Sequence, residues 1–214
     1  MDVVSALLAF TFAAALLTLT PGLDTALVLR AAAVDGPRAG RLAGFGVVAG
    51  VLGWGLIAAL GLGAVLAVST TAYAVLQISG ALYLLWLGAQ MLVRALRPAA
   101  PAALVPTPPF RTAAGDRQQF ARGLMTNLLN PKVGIFYVSF LPQFIPPEQS
   151  VVVFSLLLAA IHAALGLIWF ALLTGATTRL AHLLARPAVK RGLDGTTGAL
   201  LIGFGLSLAL ERRA

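Results

Sequence analysis

The sequence predicts an all-α integral membrane protein of six transmembrane helices, arranged as two inverted three-helix repeats. Three observations lead there. Of 214 residues, 59% are hydrophobic and only 10% are charged, against about 25% charged in soluble domains. That leaves too little polar surface to cover a soluble core. The charges are also bunched: residues 3–23, 42–93, 133–147, 149–178 and 195–210 contain no Asp, Glu, Lys or Arg. Finally, the basic residues lie between these apolar runs. The formal net charge of +8 therefore speaks for membrane topology and not for nucleic acid. With no cysteine in the chain, a disulfide scaffold, a thiolate metal site and a cysteine nucleophile are excluded.

The spans lie, in order, near residues 4–30, 43–68, 72–95, 119–145, 151–177 and 193–211. The run 42–93 holds two helices of about 20 residues and a turn. Asp2 is the only charge before Phe10, and a signal peptide wants a basic start, so the first span is expected to stay. Ser69-Thr70-Thr71 and Pro146 to Ser150 read as short turns. Residues 97–118 contain Pro98, Pro101, Pro106, Pro108 and Pro109, which cannot continue a helix. They read as a cytoplasmic linker between a first repeat, 1–96, and a second, 119–214.

Twelve Lys and Arg residues fall in the first-to-second, third-to-fourth and fifth-to-sixth links, and the opposite side has only Arg212 and Arg213. The twelve are expected to face the cytoplasm, which puts both termini outside a bacterial-type inner membrane.

Three spans per half is an odd number, so the second half enters the membrane from the opposite side, as in inverted-repeat transporters. The two opening spans share a feature. Thr20-Pro21-Gly22 breaks the first and Asn130-Pro131-Lys132 breaks the fourth. Proline removes a donor, so carbonyls near it lose their partners. Within hydrocarbon such groups must be satisfied by protein, water or substrate. Half-helix N-termini favour anions and freed carbonyls favour cations.

Asp24 lies just past the first break, roughly 9 Å in from Arg30 at about 1.5 Å per residue, and Lys132 roughly 15 Å in from Arg122. Charges below the interface face a partner or a water-filled cavity. One reading has Asp24 and Lys132 facing one cavity, paired when it is empty and holding the ammonium and carboxylate of a zwitterion when it is full. The other has Asp24 pairing with Arg30 while Lys132 snorkels. Asn127 and Asn130 precede the second break and can cap the half-helix beyond it, and Thr20 can do the same before Pro21. His162 is a candidate proton relay, or else a satisfied packing residue. Gln143 reads as an interface residue. The small-xxx-small pair Gly46 and Gly50 reads as helix packing. There is no phosphate loop, hydrolase elbow or H-E-x-x-H helix, so no enzyme, cofactor or metal site is expected.

The motifs resemble those of LysE-type amino-acid exporters, which include the homoserine/threonine efflux proteins. Thr20-Pro21-Gly22-Leu23-Asp24 resembles their TPGP(N/D) motif, with Leu23 in place of the usual proline. Phe120 to Lys132 resembles F-x-x-G-x-x-x-N-x-x-N-P-K, and Ser139 to Phe144 continues it. Gly80 to Gly88 resembles the third helix, and Gly198 to Leu210 the closing one. The resemblance implies six helices and ion-gradient-driven export of amino acids or derivatives. Its site would comprise Thr20, Pro21, Gly22, Asp24, Asn127, Asn130, Pro131 and Lys132. The expectation is a secondary transporter working by proton antiport, with Asp24 as the coupling group. Its partners are a small-molecule substrate and the lipid bilayer, and a homo-oligomer is left open. The alternatives are a metal-ion or cation exporter and a non-transporting membrane assembly protein.

Overall fold

The computed structural model describes residues 2–68, 70–96, 115–175 and 186–210, and all its regular elements are helical. Helix α1 spans Val3–Leu19. Asp2 caps it, accepting from Ser5 N at 2.9 Å and Ser5 Oγ at 2.6 Å. The Ser5 hydroxyl is the main reason the Asp2 carboxyl sits below its ordinary range. The helix ends at Thr20, because Pro21 offers no N–H to carry it on. Thr18 and Thr20 also bond back to the carbonyls of Ala14 and Leu16, each at 2.7 Å, a pattern that bends helices. After a 50° bend, α2 runs from Leu23 to Val34. Gly36, with φ of 96°, makes the turn into α3, a left-handed conformation glycine adopts without strain.

Helix α3 covers Pro37–Val68 and α4 covers Thr70–Leu96. The expected fourth span breaks into four pieces: α5 (Asp116–Leu128), α6 (Pro131–Ile135), a π-helical turn (Phe136–Phe140) and a 3-10 turn (Leu141–Phe144). Helix α7 spans Val151–Gly175 and α8 spans Pro187–Leu210.

Several expected boundaries move. The helices over the expected second and sixth spans begin at Pro37 and Pro187, because they run on past the charges used to place those spans. Residues 116–118, read as the end of a linker, belong to α5. Residues 97–114 of the linker, residues 176–185 of the fifth-to-sixth link and Arg212 and Arg213 lie outside the described residues. Among the described residues, Pro37–Gly61 and Val151–Gly175 are long and apolar enough to cross a membrane, and the bent α1–α2 pair makes a third if it is one span.

Glycines set the helix pairings. A methyl on Gly46 would strike the Phe120 carbonyl, and one on Gly123 the Ala43 carbonyl. Backbones meet there, so α3 and α5 run parallel and in close contact. Their N-terminal ends are joined by the exposed Arg38–Asp116 ion pair. Helix α7 lies on another face of α3 and runs antiparallel to it, Gly44 meeting Phe170 and Gly55 meeting Ala159. Helices α4 and α8 are antiparallel as well, and Gly88 and Gly198 each lie against the other's carbonyl. The core between α1, α7 and the broken fourth span is aromatic: Phe10 packs on Phe136 and Phe144 with ring centroids 5.7 and 5.5 Å apart.

Candidate functional site

The two proline breaks come together, and at each a remote side chain donates to the carbonyl four residues before the proline. The Leu17 carbonyl would bond to the N–H of residue 21, which proline lacks. Lys132 Nζ donates to it instead, at 3.1 Å, and to the Thr20 carbonyl at 3.3 Å. The Asn127 carbonyl would bond to residue 131, the other proline; Asn130 N–H donates to it instead at 3.0 Å, and Trp54 Nε1 of α3 adds a bond at 3.3 Å. The freed carbonyls of the first break thus hold a cation, as helix C-termini favour.

Between the breaks lies a cavity of about 40 Å³, whose lining includes Thr20, Gly22, Asp24, Thr25, Asn127, Asn130, Lys132 and His162. Asp24 Oδ2 accepts from Asn127 Nδ2 at 2.8 Å and from Asn130 Nδ2 at 3.3 Å. Asp24 Oδ1 and Asn127 Oδ1 are buried and accept from no protein group. An unpaired buried acceptor is unfavourable by about 1–3 kcal/mol, so two side by side ask for a donor. Asn130 caps α6 as expected, its Oδ1 accepting from Lys132 N at 3.1 Å. Helix α2 begins at the cavity with Gly22 as its cap, and no side chain bonds its first N–H groups.

The structure corrects several expected roles. Asp24 and Lys132 line one cavity but form no ion pair, since the asparagines hold one and the carbonyls the other. Asp24 does not pair with Arg30 either. Thr20 is buried at 3% exposure, bonded to Leu16 O and to the Thr197 hydroxyl of α8, and it caps nothing ahead of it. Asn127 binds Asp24 and is not a cap. Pro21 and Pro131 shape the site through the backbone alone, and Pro131 faces a separate apolar groove beside Trp54. Gln143 is half-buried and donates to the Ser139 carbonyl at 3.0 Å.

His162 reaches the cavity at 4% exposure, its Nδ1 3.1 Å from the Tyr137 hydroxyl and its ring stacked on Tyr137 at 13°. Tyr137 sits in the π-helical turn, a feature frequent at functional sites. Sequence reasoning missed Tyr137 and Trp54, and it read Gly50 as helix packing without its partner. A methyl on Gly50 would come within 2.6 Å of Asn127 Oδ1, so the bare glycine makes room for that carboxamide. The N-P-K run signalled the break, but nothing in it signalled which residues of α3 receive it.

This is a helical membrane protein whose polar cavity is built from two broken helices, a pattern found in transporters. The chain belongs to the LysE type translocator family, whose model matches residues 15–212. It is 32% identical over 205 residues to the threonine efflux protein of Escherichia coli strain K12, covering 91% of this chain and 92% of that one. It is 31% identical over 196 residues to the leucine efflux protein of Salmonella choleraesuis, covering 90% and 89%. It is also 30% identical over 213 residues to the uncharacterized membrane protein YrhP of Bacillus subtilis, covering 96% and 99%. No solved structure matches the chain.

Proposed function

We propose that the chain is a secondary transporter exporting small amino acids or their derivatives from the cytoplasm by proton antiport. The observation that carries this reading is the pair of unpaired buried acceptors, Asp24 Oδ1 and Asn127 Oδ1, on residues lining the cavity. A substrate ammonium brings three N–H donors, and a proton on Asp24 brings one. Ammonium and proton compete for the same acceptors, and antiport requires that exclusion. Lys132 and the uncapped start of α2 lie in the same cavity and suit the substrate carboxylate. The relatives named threonine and leucine efflux proteins support an amino acid as substrate.

At about 40 Å³ the cavity is small for an amino acid, which enters only when the helices part. The reading completes six spans as two inverted repeats joined by a cytoplasmic linker, with both termini outside the inner membrane. The antiparallel pairs α3 with α7 and α4 with α8 support it, since each pairs helices in corresponding places of the two halves. A cation exporter would need a cluster of hard or imidazole ligands. Among the described residues no group of three His, Asp or Glu side chains is assembled.

The test expresses the chain in a host stripped of its own exporters, loads the cells with dipeptides and tracks the amino acids released. Faster release, lost in Asp24→Asn and weakened in Lys132→Ala at normal membrane levels, supports the reading. Normal export from Asp24→Asn rules out its coupling role. Release no faster than from host cells without the chain, for every amino acid, rules out amino-acid export.

A further inference from the structure

Beside its polar groups, the cavity wall includes Val47, Val48 and Val51 of α3, Val133 of α6, and Gly166 and Phe170 of α7. These six carry no charge and no hydrogen-bonding side chain. Asp24 and Lys132 are the only Asp, Glu, Lys or Arg among the lining residues, and the zwitterion uses both. His162, bonded to Tyr137, is the one other titratable side chain among the lining residues, so a charged substrate side chain would lack a fixed counter-ion, and an unpaired buried charge is strongly unfavourable.

Resting on the proposed export reading, we infer that the substrates are amino acids with short, uncharged, largely aliphatic side chains, and that Gly166 sets the upper limit of side-chain size. Two glycines line the cavity: Gly22 lies at the first break, where an added Cβ would be 4.0 Å from Lys132 Nζ, whereas Gly166 lies on α7 opposite Val48. Gly166 is buried, and the nearest atoms to an added Cβ would be Val48 Cγ2 at 3.4 Å and Phe170 Cε2 at 3.9 Å. Those are ordinary contacts, so a methyl there fits the folded helix pair without pushing anything aside. What it takes up is cavity volume. Gly44, Gly46, Gly50 and Gly55 also line the faces of α3 that meet its neighbours. Cβ atoms there would come within 3.0 Å of Phe170 or Asn127 atoms or strike Phe120 and Ala159, so they serve packing. Gly166 is a glycine of the cavity wall with room for a side chain, and that room is left to the substrate.

The test is competitive export from dipeptide-loaded cells supplying alanine, threonine, leucine and lysine together, in wild type, Gly166→Ala and Val48→Ala. Wild type is expected to release the three uncharged amino acids and to exclude lysine. In a hydrophobic pocket one methylene discriminates by about 10- to 200-fold. Gly166→Ala should therefore lower the leucine-to-alanine export ratio by about tenfold or more. Val48→Ala removes the atom facing Gly166 and should raise the same ratio. It also decides the question if Gly166→Ala fails to reach the membrane. An unchanged ratio, or an equal loss for every amino acid, in a variant present at normal levels overturns the role of Gly166. Export of lysine overturns the substrate class. Absence of all amino-acid export by wild type refutes the export reading itself, an outcome distinct from both.

Discussion

Lys132 supplies to Leu17 the hydrogen bond that Pro21 cannot. Its Nζ lies 3.1 Å from the Leu17 carbonyl, four residues before the proline. A side chain from the second break thereby completes the backbone of the first. At the second break the Asn127 carbonyl accepts from the local Asn130 N–H at 3.0 Å, and Trp54 adds a bond at 3.3 Å.

A double-mutant cycle tests that relationship. Lys132→Met leaves the Leu17 carbonyl unpaired and should destabilise the purified protein by about 1–3 kcal/mol. Pro21→Ala restores an N–H at residue 21, so in that background the loss of Lys132 should be milder by most of that amount. Thermal unfolding in detergent reads the coupling. Strictly additive effects would mean that the lysine does not stand in for the missing proton.

Gly50 positions Asn127. An added Cβ would sit 2.6 Å from Asn127 Oδ1 and 2.7 Å from its Cβ. Gly50→Ala should displace the carboxamide from Asp24, with an overpacking penalty of about 1–3 kcal/mol and strongly reduced export. Gly53→Ala meets only Leu128 Cδ2 at 3.3 Å, a flexible methyl, and should be tolerated. Equal export from the two variants at equal membrane levels would contradict the positioning role.

The reciprocal contact of Gly88 and Gly198 holds α4 to α8. Added Cβ atoms would lie 2.7 and 2.8 Å from the opposite carbonyl oxygens, where backbone cannot yield cheaply. Either glycine changed to alanine should lower the melting temperature, with a penalty of about 1–3 kcal/mol. Gly203→Ala has open space around it and should be neutral or stabilising by up to about 1 kcal/mol.

The Arg38–Asp116 pair is exposed, at 76% and 55% for the two side chains. Asp116→Asn should therefore change stability by less than about 1 kcal/mol, with a still smaller effect at high salt. A larger loss on thermal unfolding would show that the pair, and not the backbone contact at Gly46 and Gly123, fixes α5 on α3.

Much of the site was legible because charge is so rare in this chain. Asp24 and Lys132 stand out against long uncharged runs, and each lies within three residues of a proline. Both then fall on one cavity. Their lack of direct pairing was not legible, because it depends on which acceptors and donors the fold brings within reach. Asn127 and Asn130 take Asp24, and the carbonyls orphaned by Pro21 take Lys132. Thr20 looked like a cap and instead reaches Thr197, 177 positions along the chain, a partner no local pattern indicates. Gly50 was read as packing, and only the register of α3 against α5 shows that the atom it spares belongs to Asn127. Tyr137 carried no signal, because aromatic residues are ordinary in apolar helices and the π-helical turn has no composition of its own.

That turn makes the protein sensitive to insertions and deletions in a way hydropathy cannot register. Residues 136–140 hold one helical register on their N-terminal side and another on their C-terminal side. Deleting any one of the five leaves the net charge unaltered, yet rotates the two flanking segments against each other by about 100°. Phe144, which now meets Phe10 edge-on at 5.5 Å, would swing away from that partner. Substitutions in this stretch alter a surface, whereas a lost codon would alter its phase.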